Sequence, residues 1–393
     1  MISISRCPWA FPIGDDYAIP ERDTIMTLQL PLSEEQTMLH EMLSRFVSER
    51  CDIEARAANL HANPPRRMAL WEELCELGVP SALLSPEAGG FGGAPEDLAV
   101  VQYALAPGLL VEPILVSVGL CGRMLDAAGR SVEAVAAGEV VYAFAHQEGF
   151  DPFNAPQMKA DADGDVFVLN GLKPAVRHAD VADRLIVSAN GPDGTILFDL
   201  AKDAAGLTVT PSRQIDAAGS ADLHFEGVRV AKKDHLDCDA EAVIEDALLH
   251  GLVAIAAEAA SLARATNRDT FEYLGLREQF GTKLAQFQAL QHMAADMAIA
   301  AEEVAAQAHT AVVALGRKAS AERNRAILVA SLACDAGGRA VGHAAVQLFG
   351  GMGVSDETPV SHYARRFAAM RAQFGTTDAR AARLAQIEGF GHE

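Results

Sequence analysis

The chain has 393 residues, of which 50% are hydrophobic and 22% are charged, and its formal net charge is -21 at pH 7. This length and composition allow a large core and predict two or three domains. The acidic balance argues against non-specific nucleic-acid binding, which depends on basic side chains that neutralise phosphates. No apolar run reaches membrane-spanning length. Six scattered cysteines without a C-x-x-C pair indicate reduced thiols in a cytoplasmic protein, and no metal site is predicted.

The first part of the chain has a helical pattern. Residues 1–26, rich in Pro and acidic side chains, are predicted to form a flexible extension. Residues 27–140 are predicted to form an N-terminal helical domain. Ser33, followed three residues later by Gln36, is typical of a helix N-cap. The Asn-Pro-Pro run at 63–65 is expected to separate two helices.

The periodicity changes in the middle of the chain and then changes back. Between 141 and 237, short apolar or β-branched runs alternate with Gly, Asp and Pro turns. Five of these runs predict strands, at 165–170, 184–189, 195–199, 207–211 and 221–226. From 238 to 393 the pattern is again helical, Ala-rich and apolar on one face. The predicted fold is α+β: an N-terminal helical domain, a middle β-barrel or sandwich, and a C-terminal four-helix bundle.

The most informative stretch runs from 252 to 288. It reads as a long helix, a break at 277–281 and a second helix from about Leu284. An Arg and a Gly at such a break can hold an anion, because a guanidinium pairs with phosphate and Gly allows close backbone approach. By spacing alone, an ordinary helix pair with a polar turn is the simpler interpretation.

The residues at this break match a known signature. Arg277, Phe280, Gly281, Phe287 and Gln288 fit the R-x-x-F-G-x-x-x-x-x-F-Q pattern of the acyl-CoA dehydrogenase family. The segment 347–353, which reads QLFGGMG, is similar to the family's Q-x-x-G-G-x-G. From about Leu28 onward the chain resembles this family, with its α–β–α order of domains and a terminal bundle.

The resemblance implies an FAD-dependent α,β-dehydrogenation of an acyl-CoA thioester, with an electron-transfer flavoprotein as the redox partner. It also implies a set of cofactor-binding residues: Arg277, Phe280, Gln288, Gln347, Gly350, Gly351 and Thr376. In the family, Arg277, Phe280 and Gln288 by position contact the flavin of a neighbouring subunit, and the segment from Gln347 helps to hold the same cofactor. An acyl-CoA dehydrogenase subunit is therefore the leading interpretation.

The catalytic base of the family is missing from both of its usual positions. By resemblance, the base is a Glu in a loop near the C-terminus or an E-R pair on the long helix. These positions hold Phe374 and Gly251 here, and neither side chain can take a proton. Glu258 lies two helical turns beyond Gly251 on the same face and is the candidate for a relocated catalytic base, with His250 a weaker one. A Glu in such a helix is more commonly paired with a buried Arg.

The segment that resembles the family's flavin-ring contact also departs from the pattern. Its Trp is replaced by Ala175 and its hydroxyl residue by Arg177. The amino-acid sequence of several segments, including 143–148 and 287–292, is similar to that of the small subunit of pimeloyl-CoA dehydrogenase. That resemblance implies a second, different subunit in an α2β2 heterotetramer and substrates such as dicarboxylyl-CoA or steroid side-chain CoA thioesters.

Several alternatives stay open at this level. The chain can be an active homotetramer with a relocated base, a non-catalytic acyl-CoA-binding protein, or a nitroalkane or acyl-CoA oxidase. A homotetramer is expected to purify yellow by itself, whereas a base-poor subunit is expected to be colourless or insoluble without its partner.

Overall fold

The computed structural model describes residues 30–62 and 67–390. The predicted extension at 1–26 and the predicted helix separator at 63–65 lie outside these ranges. Within the described residues, no helix combines the length and the apolar character needed to cross a membrane.

The N-terminal part consists of short helices. They are α1 (Glu34–Arg50), α2 (Ile53–His61), α3 (Trp71–Glu76), α4 (Val79–Ala82), α5 (Pro95–Leu105), a π-helical segment (Ile114–Gly122) that continues into α6 (Arg123–Ala127), and α7 (Glu133–Ala136). The predicted cap of α1 is confirmed. The Gln36 backbone N–H donates to Ser33 Oγ at 3.1 Å, and the Ser33 N–H donates to Gln36 Oε1 at 3.0 Å. This reciprocal pair satisfies two N–H groups that a helix start leaves free.

The middle part is one curled sheet of seven strands. They are β1 (Tyr142–Ala145), β2 (Lys159–Asp163), β3 (Val166–Arg177), β4 (Arg184–Gly191), β5 (Gly194–Ala201), β6 (Leu207–Arg213) and β7 (Gly219–Ala231). The order is β1-β4-β2-β3-β7-β6, with β5 paired to β4. Each of the five predicted strands overlaps one of β3–β7. β1 and β2 were not predicted. β1 runs parallel to β4, whereas β3–β7, β4–β5 and β6–β7 are antiparallel.

The C-terminal part is a helical bundle built on three long helices. They are α8 (Ala240–Leu276), α9 (Gln288–Leu315) and α10 (Ala321–Phe349), followed by the shorter α11 (Pro359–Met370) and α12 (Thr377–Ile387). Most of the residues of α8 between 247 and 267 are buried. Small Ala and Gly side chains in this stretch let neighbouring helices approach on every side. Helix α8 packs against α9, α10 and α11 and against α5, so it holds the two helical parts together.

The predicted break after α8 is a tight hairpin. Two-residue strands β8 (Glu278–Gln279) and β9 (Thr282–Lys283) pair around Phe280 and Gly281, whose φ angles are 56° and 78°. Positive φ at both central residues is the hallmark of a type I′ turn. Helix α9 begins at Gln288, later than predicted, because a single 3-10 turn (Leu284–Gln286) and an extended Phe287 precede it.

Candidate functional site

A cavity of about 510 Å³ opens between the sheet and the C-terminal bundle. Its walls come from the end of β1 and the following loop, from 174–177 in β3, from Leu248 in α8, and from 369–376 at the end of α11 and in the turn that follows. This volume lies in the range that small-molecule ligands occupy in proteins. The cavity is therefore the candidate ligand site of this chain.

Unusual backbone conformations cluster at this cavity. Ala175 and Phe374 line it, and both have positive φ angles, 48° and 55°. His178, with φ 64°, lines a smaller polar cavity directly behind it. Such angles are costly for residues with a Cβ and tend to persist at functional sites, where the surrounding structure enforces them.

The two positions at which the resemblance places the family's base are in contact with each other at the cavity. Phe374 lines the cavity, and its ring lies over Gly251 of α8. A Cβ added to Gly251 would come within 2.7 Å of the ring atoms Cδ2 and Cε2 of Phe374. Real side chains do not approach so closely, so the ring needs glycine at 251. The phenyl ring at 374 therefore packs where any side chain at 251 would stand.

His146 lines the cavity but is fully engaged. Its Nε2 lies 2.7 Å from the Pro152 carbonyl oxygen, which only accepts, so Nε2 carries the proton and donates. Its Nδ1 then accepts from Ser188 Oγ at 2.8 Å. Burial lowers the pKa of His146 to about 4. The imidazole is therefore neutral at pH 7 and too weak a base to take a proton from a substrate.

Glu148 is the only carboxylate among the described residues that line this cavity, and it is also engaged. Its oxygens accept from the backbone N–H of Gln157 at 2.5 Å and of Met158 at 3.0 Å, and from Lys173 Nζ at 2.5 Å. Lys173 is fully buried and donates also to the His146 carbonyl and Ser188 Oγ. Burial lowers the pKa of Lys173 to about 8, and the contact with Glu148 opposes this shift. The cluster holds the loop after β1 as a fixed wall.

Glu258, the candidate for a relocated base, does not line the 510 Å³ cavity. It is buried, and its two oxygens accept from Nε and Nη2 of Arg366 at 2.5 Å each, which is a bidentate pair. The pair faces the small polar cavity behind the main one. Both oxygens of the carboxylate are thus committed to a guanidinium.

The Arg366 guanidinium connects Glu258 to the sheet. Its Nη1 donates to Asp216 Oδ2 at 2.7 Å and to Gln373 Oε1 at 2.9 Å, and Arg177 donates to the same Asp216 oxygen at 2.8 Å. Burial by itself would raise the pKa of Asp216, but the charges of Arg177 and Arg366 outweigh it and lower that pKa below its usual range. Two acidic and two basic groups therefore balance inside the protein. Arg366 and Gln373 carried no signal in the sequence.

The residues with an expected cofactor role fall into two groups. Arg277, Phe280 and Gln288 are exposed around the hairpin after α8, and Phe280 is 91% exposed. Gln347, Gly350 and Gly351 are exposed at the end of α10. Tyr273 of α8 stacks on Phe349 of α10 with ring centroids 4.1 Å apart, which brings the two groups to the same end of the bundle.

None of these six residues lines the 510 Å³ cavity; of the expected cofactor residues, only Thr376 does. Thr376 also caps α12, where its Oγ1 accepts from the Ala379 N–H at 3.3 Å. The cavity is large enough for a ring, and Phe144 and Phe374 give it aromatic walls. The exposed Arg277 suits a pyrophosphate. The cavity therefore fits a flavin ring, and the exposed residues at the end of the bundle, which lie apart from it, fit the pyrophosphate of FAD.

Comparison with known proteins agrees with the fold and the motifs. The family description "Acyl-CoA dehydrogenase, N-terminal domain" matches residues 33–132, and "Acyl-CoA dehydrogenase, C-terminal domain" matches residues 242–387. Together they cover more than half of the chain. A similar curated relative is the short-chain-specific acyl-CoA dehydrogenase of Clostridium acetobutylicum, with 26% identity over 85% of this chain and 92% of the relative.

Solved structures show the same architecture. A variant of the Tcur3481–Tcur3483 steroid ACAD superposes with a TM-score of 0.80 at 28% identity, and the match covers 91% of this chain and 98% of that one. The ChsE4–ChsE5 complex of Mycobacterium tuberculosis, at 21% identity, shares the fold with a TM-score of 0.83 over 92% and 99% of the two chains. This chain belongs to the acyl-CoA dehydrogenase family, whose members are FAD-binding oxidoreductases.

Proposed function

We propose that this chain is the base-poor subunit of an α2β2 acyl-CoA dehydrogenase that catalyses FAD-dependent α,β-dehydrogenation of an acyl-CoA thioester. The partner subunit supplies the base and the flavin-ring pocket. This chain supplies residues that hold the adenosine diphosphate end of the partner's cofactor. The assembly is cytoplasmic and passes its electrons to an electron-transfer flavoprotein.

The observation that carries the proposal is the contact between Phe374 and Gly251. The reaction needs a base for the α-proton, and both family positions for that base are filled by a phenyl ring and the glycine that accommodates it. The remaining titratable groups, His146, Glu148 and Glu258, are each held by other groups. His250, the weaker candidate, does not line the cavity, and its Nδ1 lies 2.8 Å from the Asp246 carbonyl oxygen. None of the described residues that line this chain's own cavity is therefore a free carboxylate or imidazole that could take a proton.

The exposed end of the bundle supports a role toward a neighbour. Arg277 keeps a guanidinium free of partners within the described part of the chain, at the C-terminal end of α8. A guanidinium forms two charge-assisted hydrogen bonds to a pyrophosphate, and the exposed backbone at Gly350 and Gly351 allows close approach. When bound, FAD supplies the acceptor for the β-hydride. This chain's part is to hold the cofactor, not to move the proton.

The substrate class and the branch of the family are proposed from likeness to other proteins. The structurally similar Tcur3481–Tcur3483 protein is described as a steroid ACAD, and its name joins two designations. We therefore propose a steroid side-chain CoA thioester or, by the resemblance, a dicarboxylyl-CoA as the substrate, in a β-oxidation type of catabolism. The similarity to the pimeloyl-CoA dehydrogenase small subunit stays part of this proposal.

The test is to compare the chain alone with the chain co-expressed with its partner. Alone and supplied with FAD, it is expected to oxidise no acyl-CoA. With the partner, it is expected to give a yellow, active heterotetramer with one flavin per pair of unlike subunits. If the lone chain binds one flavin per subunit and an acyl-CoA reduces that flavin, the active-homotetramer alternative is correct. If neither preparation ever contains flavin but both bind CoA esters, the chain is a non-catalytic binding protein. Peroxide formation with oxygen as the acceptor would indicate an oxidase.

A further inference from the structure

The 510 Å³ cavity contains an amide whose orientation is set by the buried charges behind it. Gln373 lies on the wall shared by the main cavity and the small polar cavity. Its Oε1 accepts from Arg366 Nη1 at 2.9 Å. A guanidinium has only donors, so the amide oxygen must face Arg366 and the amide nitrogen must point away from it. The orientation of this amide therefore follows from chemistry.

The guanidinium that sets this orientation is itself fixed. Arg366 is buried and donates to both oxygens of Glu258 at 2.5 Å and to Asp216 at 2.7 Å. Helix α8 and the β6–β7 turn thus hold the guanidinium, which is carried by α11, from two sides. Rotation of Gln373 would place two donors against each other and break this arrangement, so the amide is held in one state.

The nitrogen of this amide is free. Within the described residues Gln373 Nε2 makes no hydrogen bond, and this nitrogen is accessible to solvent. The other amides among the described cavity residues differ: Gln147 donates to the Gly149 carbonyl at 2.6 Å, and Gln214 has no hydrogen bond that would orient its side chain. A preorganised donor loses less entropy on binding than a mobile one. Among the described amides of this cavity, Gln373 is therefore the one that offers a preorganised donor.

We propose that Gln373 is a specificity-determining residue of this chain's own cavity, where its amide nitrogen donates to a carbonyl oxygen of the ligand. The assignment rests on the proposed function for the identity of its ligands. The carbonyl belongs either to the thioester of an acyl-CoA or to the ring of a flavin. Glu258 acts at a distance, as a positioning residue that holds Arg366 and, through it, the amide.

The experiment uses the heterotetramer with three variants of this chain: Gln373→Leu, Gln373→Glu and the matched control Gln214→Leu. Octanoyl-CoA binding is measured by calorimetry and FAD binding by fluorescence, with circular dichroism to verify folding. The partner is unchanged in every sample, so differences report this chain. Gln373→Leu is expected to weaken binding of one of the two ligands about ten-fold, the value of one hydrogen bond, and Gln214→Leu less than about three-fold, because a mobile amide contributes less.

The Gln373→Glu variant tests the direction of the hydrogen bond. A carboxylate has nearly the same shape and keeps its contact with Arg366, but it presents an oxygen to the ligand carbonyl. Binding is expected to fall further than in Gln373→Leu. The assignment is overturned if Gln373→Glu binds with wild-type affinity or if Gln373→Leu changes the affinity by less than about two-fold. It is also overturned if Gln214→Leu loses as much affinity as Gln373→Leu, or if the wild type binds neither probe.

The two ligand arms separate this inference from the proposed function. A loss confined to octanoyl-CoA assigns the contact to the thioester and leaves one flavin per pair of subunits unchanged. A loss confined to FAD assigns it to the flavin ring, which supports the donor role of Gln373 while contradicting the proposed flavin stoichiometry. Turnover and flavin content of the wild-type complex report on the proposed function alone.

Discussion

Replacing Glu258 by Gln is the sharpest test of its structural role. The change keeps the shape of the side chain and removes one negative charge. Arg366 would retain Asp216, but Asp216 already accepts from Arg177. One carboxylate would then face two guanidiniums inside the protein. Glu258 is only 8% exposed, so water does not screen the unbalanced charge.

The expected cost follows from this geometry. Removing one partner of a buried ion pair destabilises a protein by about 3–5 kcal/mol, because the other charge stays buried without compensation. The matched control is Glu302→Gln. Glu302 pairs with Arg264 at 3.3 Å, but its side chain is 60% exposed. An exposed pair of this kind contributes at most about 1 kcal/mol.

Urea unfolding followed by circular dichroism measures both variants, and turnover of the heterotetramer is measured in parallel. Glu258→Gln is expected to lower the urea midpoint strongly and to leave turnover per folded complex within a few-fold of wild type. If Glu258→Gln unfolds within about 0.5 kcal/mol of wild type, the cost of an uncompensated buried charge does not describe this site. If that variant also binds substrate normally but has lost turnover, Glu258 is the catalytic base.

Three further predictions concern other parts of the site. Gly251→Ala is expected to destabilise the protein by about 1–3 kcal/mol through the clash with the Phe374 ring. In a Phe374→Ala background the same change should instead stabilise α8 by up to about 1 kcal/mol. A loss of stability of equal size in both backgrounds would refute the contact. Because the pKa of His146 is about 4 in the folded protein and about 6.5 unfolded, protons bind the unfolded state first as the pH falls. Stability should therefore drop by about 2 kcal/mol from this group between about pH 7.5 and 5, and His146→Gln should flatten that part of the urea-midpoint profile. Arg277→Ala is expected to lower the flavin affinity of the heterotetramer about 10–100-fold with an unchanged melting temperature. Arg317→Ala, also in the C-terminal part, should leave the flavin affinity unchanged. Full flavin occupancy in Arg277→Ala would contradict the cofactor-holding role.

Local sequence patterns determined much of the fold. The Ser33 and Gln36 cap and the strands β3–β7 could be predicted because their signals lie within a few consecutive residues. The break at Phe280 and Gly281 was also visible, although not its type I′ geometry. β1 and β2 escaped prediction because they are four and five residues long. β1 is defined mainly by its pairing with β4, and the sequence of so short a segment does not indicate which strand it will pair with.

The chemistry of the site depended on contacts between distant segments. The sequence placed Phe374 and Gly251 at the two positions expected for the base, but only the packing of the ring on α8 shows that a phenyl ring at 374 requires glycine at 251. Glu258 and Arg366 are 108 residues apart, and nothing local to either predicts their bidentate pair. The orientation of Gln373 follows in turn from that pair. The sequence by itself determined which residue types stand at the site. The tertiary structure decided whether each carboxylate or amide is available to a ligand, because it brought the partners that occupy the hydrogen-bonding atoms of these groups. A buried polar group can bind a ligand only through the hydrogen bonds that it has left free.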